Sequence, residues 1–485
     1  MRVAIVHYHL RSGGVARVIQ HTVQALRERS IAAVVLSGAA PDGTWSCPVG
    51  VVEGLDYMSR GNMTGRAARF LAERMKRSAT RLLGRSPDIW HIHNHALGKN
   101  PALTMAVRHL ADEGQRILLQ IHDFAEDGRP ALYHRMLHYI AKGDMEAFGA
   151  ITYPRAPHVH YAVLNQRDAF FLQSAGAGKT FIHCLPNPVM LPADNNSSNA
   201  VKWEGKRRFL YPTRALRRKN IGEVLLWAVM GKANDSFALT LAPASKTDRI
   251  VYDDWKRHAR RGHLPIRFEV GMTSEASLTG WMRSSTAIIT TSVAEGFGLA
   301  FLEPWLAGRP VAGRDLPEIT NEFSKSGVRW PRLYNRLEVP LSWIGNGKFR
   351  RALYRGLKQS YRAYGRSLTP DDLERAYDAA VRKNSVDFGR LNESLQLAVI
   401  DRMLHSLQLR NRIRPLNLNS GLKDPDVAYN AETIRKAYGL EQYGARLGEV
   451  YTRLLASDTG PVSCLSAERL LDQFLAPERF CLLRT

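Results

Sequence analysis

A glycine-rich turn over residues 292–303 carries the densest set of chemically useful groups, with carboxylates at Glu295 and Glu303. The turn follows a short apolar run that predicts a strand, and it leads into a predicted helix. Such a turn presents backbone N–H groups and the positive helix end to an anion, and Gly296 and Gly298 let a ligand approach the backbone closely. The carboxylates are eight positions apart, about two turns of a helix, so we expect them to contact two ends of one elongated ligand.

A basic turn upstream, over residues 212–220, supplies the complementary charge. It also follows a predicted strand, and it contains Arg214 and Lys219. Arginine offers a two-pronged donor to phosphate, and lysine offers a point charge. The alternative is an ordinary solvated turn. The basic turn lies at the carboxyl end of a strand, in the same lobe as the glycine-rich turn, and this position favours an anion-binding function.

Apolar runs separated by helical patterns must position these turns. The chain opens with a strand, a glycine pair (Gly13 and Gly14), an amphipathic helix and a second strand. Further strand signals in the first half lie at 88–93, 116–121, 162–164 and 181–185. In the second half they lie at 208–211, 238–241, 266–270, 287–291 and 310–312. Strands that alternate with helices in this way predict parallel α/β sheets.

The order of these elements predicts an α/β fold with two Rossmann-like lobes facing a cleft. Ligands of open parallel sheets bind beyond the carboxyl ends of the strands, which is where both turns are expected. The predicted division is a first lobe at 1–191, a polar linker at 192–206, a second lobe at 207–342 and a helical C-terminal region at 343–485.

The chain has 485 residues, of which 45% are apolar and 23% charged, so it is expected to be globular and neither disordered nor fibrous. Lys and Arg number 68 against 45 Asp and Glu, a formal net charge of +23. This excess attracts anions, so nucleic acid, anionic lipid and phosphorylated small molecules all qualify as partners. The four cysteines form no CxxC pair, and no apolar run is long enough for a secretory signal or a membrane span. We therefore expect a cytoplasmic protein.

Two segments imitate known ligand-binding motifs. Residues 175–180 resemble a phosphate-binding P-loop, but Gln173 stands where that loop needs its first glycine, and the segment precedes a strand instead of following one. We interpret it as a glycine turn that ends a helix.

His91, His93 and His95 alternate along a strand and would share one face. Because they have no organised Cys or carboxylate partner, we expect packed imidazoles near a cleft and no metal site.

No single motif identifies a family, but the order of several motifs along the chain points to a known one. They extend from residue 1 to about residue 325 and include Gly13 with Gly14, 88–93, His122 with Asp123, 185–188, Arg214 with Lys219, 270–274, Glu295, Glu303, 308–311 and 316–319. On these motifs the chain resembles the retaining, nucleotide-sugar-dependent glycosyltransferases of family four, which have the two-lobed GT-B fold.

The resemblance implies a site for the nucleotide part of the donor. The diphosphate would be held by cations and backbone amides, namely Arg214, Lys219, Gly13, Gly14, Gly298 and Leu299. Glu303 would accept hydrogen bonds from the ribose hydroxyls, and the backbone around Met272 would hold the base. The lobe at 1–191 would be the acceptor side and the lobe at 207–342 the nucleotide-sugar side, with part of 343–485 crossing back to the first lobe.

The resemblance also implies roles at the reacting sugar. Glu295 and the turn of Gly296 and Phe297 would hold the hexose hydroxyls, and His122 would lie beside the sugar and the leaving phosphate. His122 and Glu295 are thus the candidate catalytic residues. The implied reaction moves a hexose from a UDP- or GDP-sugar to an unidentified hydroxyl acceptor with retention. Cations and amides would stabilise the leaving diphosphate, with no metal and no cofactor other than the donor.

A basic amphipathic helix predicted over 64–85 leaves other partners open. Its apolar stripe and arginine-rich face suit an anionic membrane surface, and the alternative is an ordinary surface helix. The sequence has no recognisable RNA- or DNA-binding motif, which argues against nucleic acid. The alternative function is a basic nucleic-acid- or membrane-surface-binding protein on a non-catalytic or epimerase-type GT-B fold.

Overall fold

The computed structural model of the chain describes residues 1–58, 65–191, 201, 203, 205–273, 276–410, 413 and 425–484. As far as they are described, the residues form two compact units. The first contains Met1–Pro188 and Tyr438–Leu475, and the second contains Val189–Ala437 and Ala476–Thr485. Most of the predicted linker at 192–206 lies outside the described residues, and the predicted boundaries at 191, 206 and 342 stay a prediction.

The first unit is built on a parallel sheet of short, apolar strands rich in β-branched residues. The strands in this part of the chain are β1 (Arg2–Val6), β2 (Ala32–Ser37), β3 (Val49–Val51), β4 (Ile89–His93), β5 (Ile117–Ile121), β6 (Pro154–Arg155), β7 (Val159–Val163) and β8 (Ile182–Cys184). Seven of them form the sheet in the order β3-β2-β1-β4-β5-β7-β8. β4, β5 and β7 are buried along their whole length, because the sheet is covered on both faces.

Helices connect these strands and cover the sheet. They are α1 (Gly14–Glu28), α2 (Gly65–Leu83), α3 (Pro101–Asp112), α4 (Pro130–Ala141), α5 (Met145–Thr152) and α6 (Gln166–Ser174). α3, α5 and α6 each begin after an Asn or Asp whose side chain accepts from the first amides of the helix. After α6, Gly176 adopts a φ of 108° and a short 3-10 turn leads into β8, so the predicted glycine turn at 175–180 is confirmed.

The second unit contains another parallel sheet. Its strands are β9 (Arg207–Arg214), β10 (Asp235–Leu241), β11 (Ile266–Arg267), β12 (Ala287–Thr290), β13 (Val311–Arg314) and β14 (Leu333–Tyr334), in the order β11-β10-β9-β12-β13-β14. The helices between them are α7 (Ile221–Met230), α8 (Lys246–Arg261), α9 (Val270–Thr273), α10 (Leu278–Ser284), α11 (Leu299–Leu306) and α12 (Pro317–Lys325). The strand predicted at 266–270 ends at Arg267, because Glu269 adopts a φ of 64° and Val270 begins α9.

The C-terminal part of the chain is mainly helical, which confirms the predicted α/β fold class of two Rossmann-like lobes with a helical C-terminal extension. Its elements are β15 (Glu338–Pro340), α13 (Leu341–Ile344), α14 (Asn346–Ala363), α15 (Pro370–Ala380), β16 (Val381–Arg382), β17 (Ser385–Asp387), α16 (Glu393–Leu404), α17 (Leu407–Arg410), α18 (Pro425–Tyr438), α19 (Leu440–Leu455), β18 (Ser463–Cys464) and α20 (Ala467–Leu475). β15, β17 and β16 form a small sheet that the sequence patterns did not predict. Lys383 and Asn384 adopt positive φ angles there and turn the chain back from β16 into β17.

Helix α19 belongs to the first unit although it lies near the end of the chain. Its apolar face packs in one core cluster with β1 and α1, and the cluster includes Val3, Ile19, Val23, Tyr443, Leu447, Val450, Tyr451 and Leu454. Two of its tyrosines also meet buried polar groups. The Tyr443 hydroxyl lies 2.7 Å from the Thr22 hydroxyl, and the Tyr451 hydroxyl lies 2.8 Å from Nδ1 of His91. The core of the first unit is therefore complete only with this distant helix.

A buried charge cluster fixes the small sheet to the second unit's large sheet. Arg314, at the end of β13, donates to Asp387 of β17 at 2.7 and 3.0 Å and to Glu223 of α7 at 3.1 Å. All three side chains are almost inaccessible. Burial opposes ionisation of Asp387, but the guanidinium and the amide of Leu337 bring its pKa below the ordinary value. Without the Arg314 guanidinium, Glu223 and Asp387 would lie in a protein interior that solvates carboxylates poorly.

Replacing Arg314 with methionine should destabilise the second unit by about 3–5 kcal/mol, because Glu223 and Asp387 would stay buried without a cation. The matched control is Arg350→Met on α14, whose ion pair with Glu374 is exposed and should contribute at most about 1 kcal/mol. Urea unfolding of both variants measures the difference. A loss in Arg314→Met no larger than that of the control would contradict the structural role of the cluster.

Candidate active site

Two loops of the second unit carry the residues with the clearest chemistry. One begins at the end of β9 and contains Arg214 and Lys219, and the other follows β12 and contains Glu295. β9 and β12 are parallel neighbours in the sheet, so the two loops leave it side by side. The sequence indicated both loops but could not show that their strands are adjacent.

Hydrogen bonds join the two loops. The amide of Val293 donates to the carbonyl oxygen of Arg218 at 2.9 Å. The hydroxyl of Thr291 lies 2.9 and 3.1 Å from the carbonyl oxygens of Lys219 and Asn220. Asn220 closes the turn in a left-handed conformation with a φ of 53°, which asparagine tolerates better than most residues. The backbone that carries Lys219 is thereby fixed against the second loop.

Lys219 and Glu295 form an ion pair between Nζ and Oε1, with side chains only 13% and 10% exposed. Ser292 donates to the same carboxylate oxygen at 2.6 Å, and the Tyr211 hydroxyl lies 2.8 Å from that of Ser292. Burial alone would raise the pKa of Glu295, but the Lys219 ammonium and the Ser292 hydroxyl bring it below the ordinary value. Glu295 is therefore ionised at neutral pH, so it can accept hydrogen bonds from hydroxyl groups but has no proton to donate.

The glycine-rich turn ahead of α11 is held in one shape. Gly298 adopts a φ of 92°, and a Cβ there would lie 2.8 Å from Cγ2 of Ile319, so only glycine fits. Phe297 is buried and meets Phe323 edge to face. The first amides of a helix, here from Leu299 onward, have no acceptor within the helix and are completed well by an anion.

The two carboxylates do not share a helix. α11 begins at Leu299, so Glu295 lies in the loop ahead of it together with Gly296, and only Glu303 lies on the helix. The expected spacing of two helical turns is therefore wrong, because the left-handed Gly298 separates the loop from the helix. Glu303 is partly buried in the second turn of α11.

Arg214 and Met272 make no contact with the Lys219–Glu295 pair within the described part of the chain. The guanidinium of Arg214 is exposed and donates to the carbonyl oxygen of Ala242 at 3.2 Å. Met272 lies on α9 and is 61% exposed. Of the predicted donor-binding side chains, the structure thus brings Lys219 and Glu295 into direct contact and leaves Arg214 and Met272 accessible.

In the first unit, Gly13 and Gly14 lie where the loop after β1 enters α1. Gly13 has an extended backbone with a φ of 176°, and Gly14 is the first residue of the helix. A Cβ at Gly13 would come no closer than 3.7 Å to the carbonyl oxygen of Arg11, and at Gly14 it would meet no described atom within 4 Å. The fold does not demand glycine at either position. The missing side chains instead leave the first amides of α1 open to a ligand.

His122 directly follows β5 and is held through both its backbone and its ring. Its amide donates to Oδ1 of Asn94 at 2.8 Å, and its Nε2 lies 2.9 Å from Nδ1 of His93. Burial lowers the pKa of His122 to about 3, with a smaller contribution from His91. The ring is therefore neutral at physiological pH and offers a substrate hydrogen bonds but no positive charge.

The other histidines near the end of β4 are packed inside the unit. Nε2 of His91 lies 2.8 Å from Oε1 of Gln120. Asn94 adopts a φ of 55°, so the alternation ends there and His95 meets the carbonyl oxygen of Thr152 at 2.8 Å. The expectation that three histidines share one face is therefore wrong for His95. Within the described ranges, no group of three or more His, Cys, Asp or Glu side chains is placed to hold a metal ion.

The loop that follows His122 is closed by its own side chains. Arg129 pairs with Asp123 and donates to the carbonyl oxygen of Phe124 at 3.0 Å. Glu126 is 1% exposed and accepts a hydrogen bond from the Tyr153 hydroxyl at 2.8 Å, and burial raises its pKa to about 7. The sequence places Glu126 in a polar loop and carries no sign that it is buried, because Tyr153 comes from a distant segment.

The basic helix predicted over 64–85 is present as α2, and residue 64 lies outside the described residues. Most of its apolar stripe, including Leu71, Met75 and Ala79, is buried, and α2 contacts α3 and β2. The exposed residues of α2 include Arg66, Arg69, Phe70, Arg77 and Arg81. Most of the predicted stripe is therefore not available to a membrane, whereas Phe70 of that stripe and the arginine face are exposed. No helix in the part of the chain that the structure describes is long and apolar enough to span a bilayer.

Two Rossmann-like units, with polar side chains gathered at the carboxyl ends of parallel strands, define the GT-B class of glycosyltransferases. Among solved structures, the chain is similar to sucrose-phosphate synthase from Thermosynechococcus elongatus, with a TM-score of 0.52 and 13% identity over 94% of this chain and 99% of that one. It is also similar to Anabaena HepE in complex with UDP and glucose, with a TM-score of 0.52 and 13% identity over 93% of this chain and 99% of that one. These likenesses establish the GT-B fold.

A curated relative extends the likeness to the sequence. The chain is 26% identical over 368 residues to mannosylglucosyl-3-phosphoglycerate synthase from Petrotoga mobilis. The matched region covers 70% of this chain and 69% of the relative. No family model matches the chain. The resemblance to GT-B glycosyltransferases of the family-four type is confirmed, and the chain is a glycosyltransferase.

The raised pKa of Glu126 should make the stability of the first unit depend on pH. Its pKa of about 7 exceeds the ordinary 4.5, so the folded state binds more protons between these values and stability falls as the pH rises through about 7. Between pH 4.5 and about 8, the wild type should lose about 3 kcal/mol more than Glu126→Gln. Thermal unfolding midpoints across this range measure the difference, with Glu146→Gln at the exposed start of α5 as the control. Identical pH profiles for the wild type and Glu126→Gln would refute this account.

Proposed function

We propose that the chain is a retaining glycosyltransferase that moves a hexose from a nucleoside diphosphate sugar, a UDP- or GDP-sugar, to a hydroxyl acceptor. The observation that carries the proposal is the pairing of Lys219 with Glu295 at the carboxyl ends of β9 and β12. A nucleotide sugar has an anionic part and a polyhydroxylated part. The pair offers a cation to the first and a carboxylate to the second.

The donor diphosphate is assigned to cations and backbone amides. Lys219 and the exposed Arg214 supply positive charge, and the amides after Gly298, beginning with Leu299, supply fixed hydrogen-bond donors. The amides at Gly13 and Gly14 are also assigned to the donor diphosphate. Negative charge builds on the diphosphate as it leaves, so groups already aimed at it stabilise the transition state more than the ground state. The proposed reaction therefore needs no metal ion and no cofactor other than the donor.

The rest of the donor is assigned to neighbouring groups of the second unit. The ionised Glu295 accepts hydrogen bonds from hexose hydroxyls, together with the backbone at Gly296 and Phe297. Glu303 accepts from the ribose hydroxyls, and the backbone at Met272 holds the base. These assignments follow the order of the motifs along the chain.

Retention is proposed to proceed without a covalent intermediate on Glu295. Its Oε1 already accepts a hydrogen bond from the Ser292 hydroxyl and pairs with the Lys219 ammonium, and both contacts lower its strength as a nucleophile. We therefore propose that the acceptor hydroxyl attacks from the face that the diphosphate leaves. We assign His122, which is neutral, a position beside the donor sugar, where it contributes hydrogen bonding to this step.

Similar proteins support the classes of donor and acceptor. HepE was solved with UDP and glucose, which supports a UDP-sugar. The Petrotoga relative is named for a glycoside that carries a phosphate and an acid group, which supports an anionic hydroxyl acceptor. Thermal unfolding with a panel of UDP-, GDP- and ADP-sugars identifies the donor, since a ligand that binds only the folded state stabilises it.

Lys219→Ala and Glu303→Ala should each weaken binding of the nucleoside diphosphate by about tenfold to a hundredfold, because each removes a charge-assisted hydrogen bond. His122→Ala should lower turnover while leaving nucleotide affinity nearly unchanged. Calorimetric titration with UDP and GDP measures the affinities, and Lys436→Ala on the exposed face of α18 is the control. Nucleotide affinity at the wild-type level in both Lys219→Ala and Glu303→Ala would count against the assigned site.

The alternative functions are separated by one set of assays. A transferase consumes its donor faster when acceptor is supplied, whereas an epimerase converts the donor without it. Binding of RNA at near-physiological ionic strength that weakens with salt would support the nucleic-acid-binding alternative. Donor binding without any turnover across the acceptor panel would support a non-catalytic role.

We further propose a cytoplasmic location with peripheral contact to an anionic membrane through α2. None of the four cysteines forms a disulfide bond, which suits a reducing compartment. Because most of the apolar stripe of α2 is buried, the contact would be mainly electrostatic and carried by the arginine face.

Substituting serine for Arg69, Arg77 and Arg81 together should abolish pelleting with phosphatidylserine vesicles at low salt, since each basic residue near such a surface contributes about 1 kcal/mol. Pelleting is compared with vesicles of neutral lipid and with Arg435→Ser on α18, whose side chain is 60% exposed. No binding of the wild-type protein to anionic vesicles would remove the membrane proposal and leave the enzymatic one untouched.

A further inference from the structure

The ring of His122 faces a second histidine. Nε2 of His122 lies 2.9 Å from Nδ1 of His93, the last residue of β4. The ring planes differ by only 10° and the centroids are 5.2 Å apart, so the rings meet edge to edge with these nitrogens facing each other. This geometry suits a well-aligned N–H···N hydrogen bond. One nitrogen must carry the proton and the other must accept it.

The surroundings of His93 decide which nitrogen carries the proton. Nε2 of His93 is buried and has no hydrogen-bond partner among the described residues. If His122 donated, the neutral His93 would have to carry its own proton on Nε2, and that N–H group would be buried without an acceptor. Buried N–H groups without acceptors are rare in folded proteins. The reverse arrangement leaves a bare ring nitrogen at this position, so His93 donates from Nδ1 and His122 accepts at Nε2.

At neutral pH the pair carries no extra proton, so one neutral ring donates to the other. Burial lowers the pKa of His93 well below its ordinary value and that of His122 to about 3. The groups packed around the pair are themselves imidazoles. The ring of His91 stacks on His93 with centroids 4.4 Å apart, and the ring of His7 meets His93 edge-on at 6.3 Å. A proton added to any of these rings would be repelled by a proton on its neighbour.

We propose that His93 is a positioning residue that fixes His122 in the tautomer with its proton on Nδ1. A neutral histidine carries one N–H group, so acceptance at Nε2 leaves the proton of His122 on Nδ1. His93 is fully buried, whereas His122 keeps 8% of its surface accessible, so His122 is the member of the pair that can meet a ligand. This inference rests on the proposed function for its consequence: His122 donates a hydrogen bond to an oxygen of the nucleotide sugar and does not remove a proton from it.

The tautomer can be measured directly by NMR, without any substrate. In protein labelled with a nitrogen isotope at histidine, long-range proton–nitrogen correlations distinguish a ring protonated at Nδ1 from one protonated at Nε2. The signals of His122 are assigned by their loss in His122→Gln. The expected result for the wild type at neutral pH is the Nδ1–H pattern. An Nε2–H pattern would overturn the proposal whatever the activity of the protein.

Replacement of His93 tests its role as the donor. His93→Phe keeps an aromatic ring but removes the donor, so the Nδ1–H pattern of His122 should be lost or mixed with the Nε2–H pattern. His93→Gln keeps an N–H donor and should preserve the pattern. An unchanged pattern in His93→Phe would overturn the positioning role. If that variant does not fold, loss of the Nδ1–H pattern in a folded His93→Gln overturns it instead.

A matched control exists in the same sheet. Nε2 of His183 lies 2.9 Å from Nδ1 of His160, a histidine pair between β7 and β8 that makes no hydrogen bond with His122. His183→Phe should leave the His122 pattern unchanged. A shift in this control as large as that in His93→Phe would show that the effect spreads through the fold, and it would overturn the assignment to His93.

Activity supplies a second readout that a merely structural role would not move in the same way. With a nucleotide sugar that turns over, His93→Phe should lower kcat by up to about tenfold, the size of one lost hydrogen bond, with the donor KM within about twofold of the wild type. His93→Gln should recover most of kcat. If no nucleotide sugar turns over in the wild type, the proposed function fails while the tautomer measurement still decides the role of His93. A rise in KM with unchanged kcat in His93→Phe would overturn the positioning role alone.

Discussion

The buried ion pair of Lys219 and Glu295 is the interaction on which the candidate site depends. It forms because two loops that are distant in sequence leave adjacent strands of one sheet and are joined through Thr291 and Val293. Taking an ammonium and a carboxylate out of water is costly, and the cost is recovered only when the geometry is good and further hydrogen bonds are made. The hydroxyl of Ser292 provides one of them. Such a pair adds little to stability, but it holds two charges in fixed positions before a ligand arrives, and that preorganisation favours binding and catalysis.

The candidate residues of the two units differ in charge, and burial explains the difference. β4 and β5 are covered on both faces, so the histidines at their ends lose their protons and can offer only neutral hydrogen bonds. In the second unit, the buried Glu295 has the Lys219 side chain beside it, which lowers the pKa of Glu295 and keeps its carboxylate ionised. Among the candidate residues, the charged pair therefore lies in the second unit and the neutral imidazoles lie in the first.

Local patterns in the sequence predicted most strands and the two loops, because apolar β-branched runs and glycine turns are signals that lie within a few residues of one another. Predictions were wrong at several positive φ angles: Glu269 ends a strand early, Asn94 ends the alternation of the histidines, and Gly298 separates Glu295 from the helix that carries Glu303. The sequence pattern does not show where such an angle interrupts an element. The partners of the site residues are equally invisible in sequence. His93 and His122 are 29 positions apart, and the Tyr451 that holds His91 is 360 positions away, so only the sheet order and the packing of α19 reveal these contacts.

The net charge of +23 and the charges of the candidate site act on an anionic ligand in different ways. The buried Arg314 is matched by carboxylates, because it lies between Glu223 and Asp387. The half-buried Arg207 likewise makes two bonds to Asp235, at 2.6 and 2.7 Å. Among the described residues, basic side chains without such a partner lie on the surface, as on the exposed face of α2. At physiological salt, surface charges are screened beyond about 8 Å, so they raise the local concentration of an anionic substrate but cannot orient it. Orientation requires donors fixed at hydrogen-bond distance, a role that we propose for the amides of the glycine turns and the paired Lys219. Mutations that lower the overall charge and mutations in these loops therefore act on different steps, the first on the rate of encounter and the second on what happens after it.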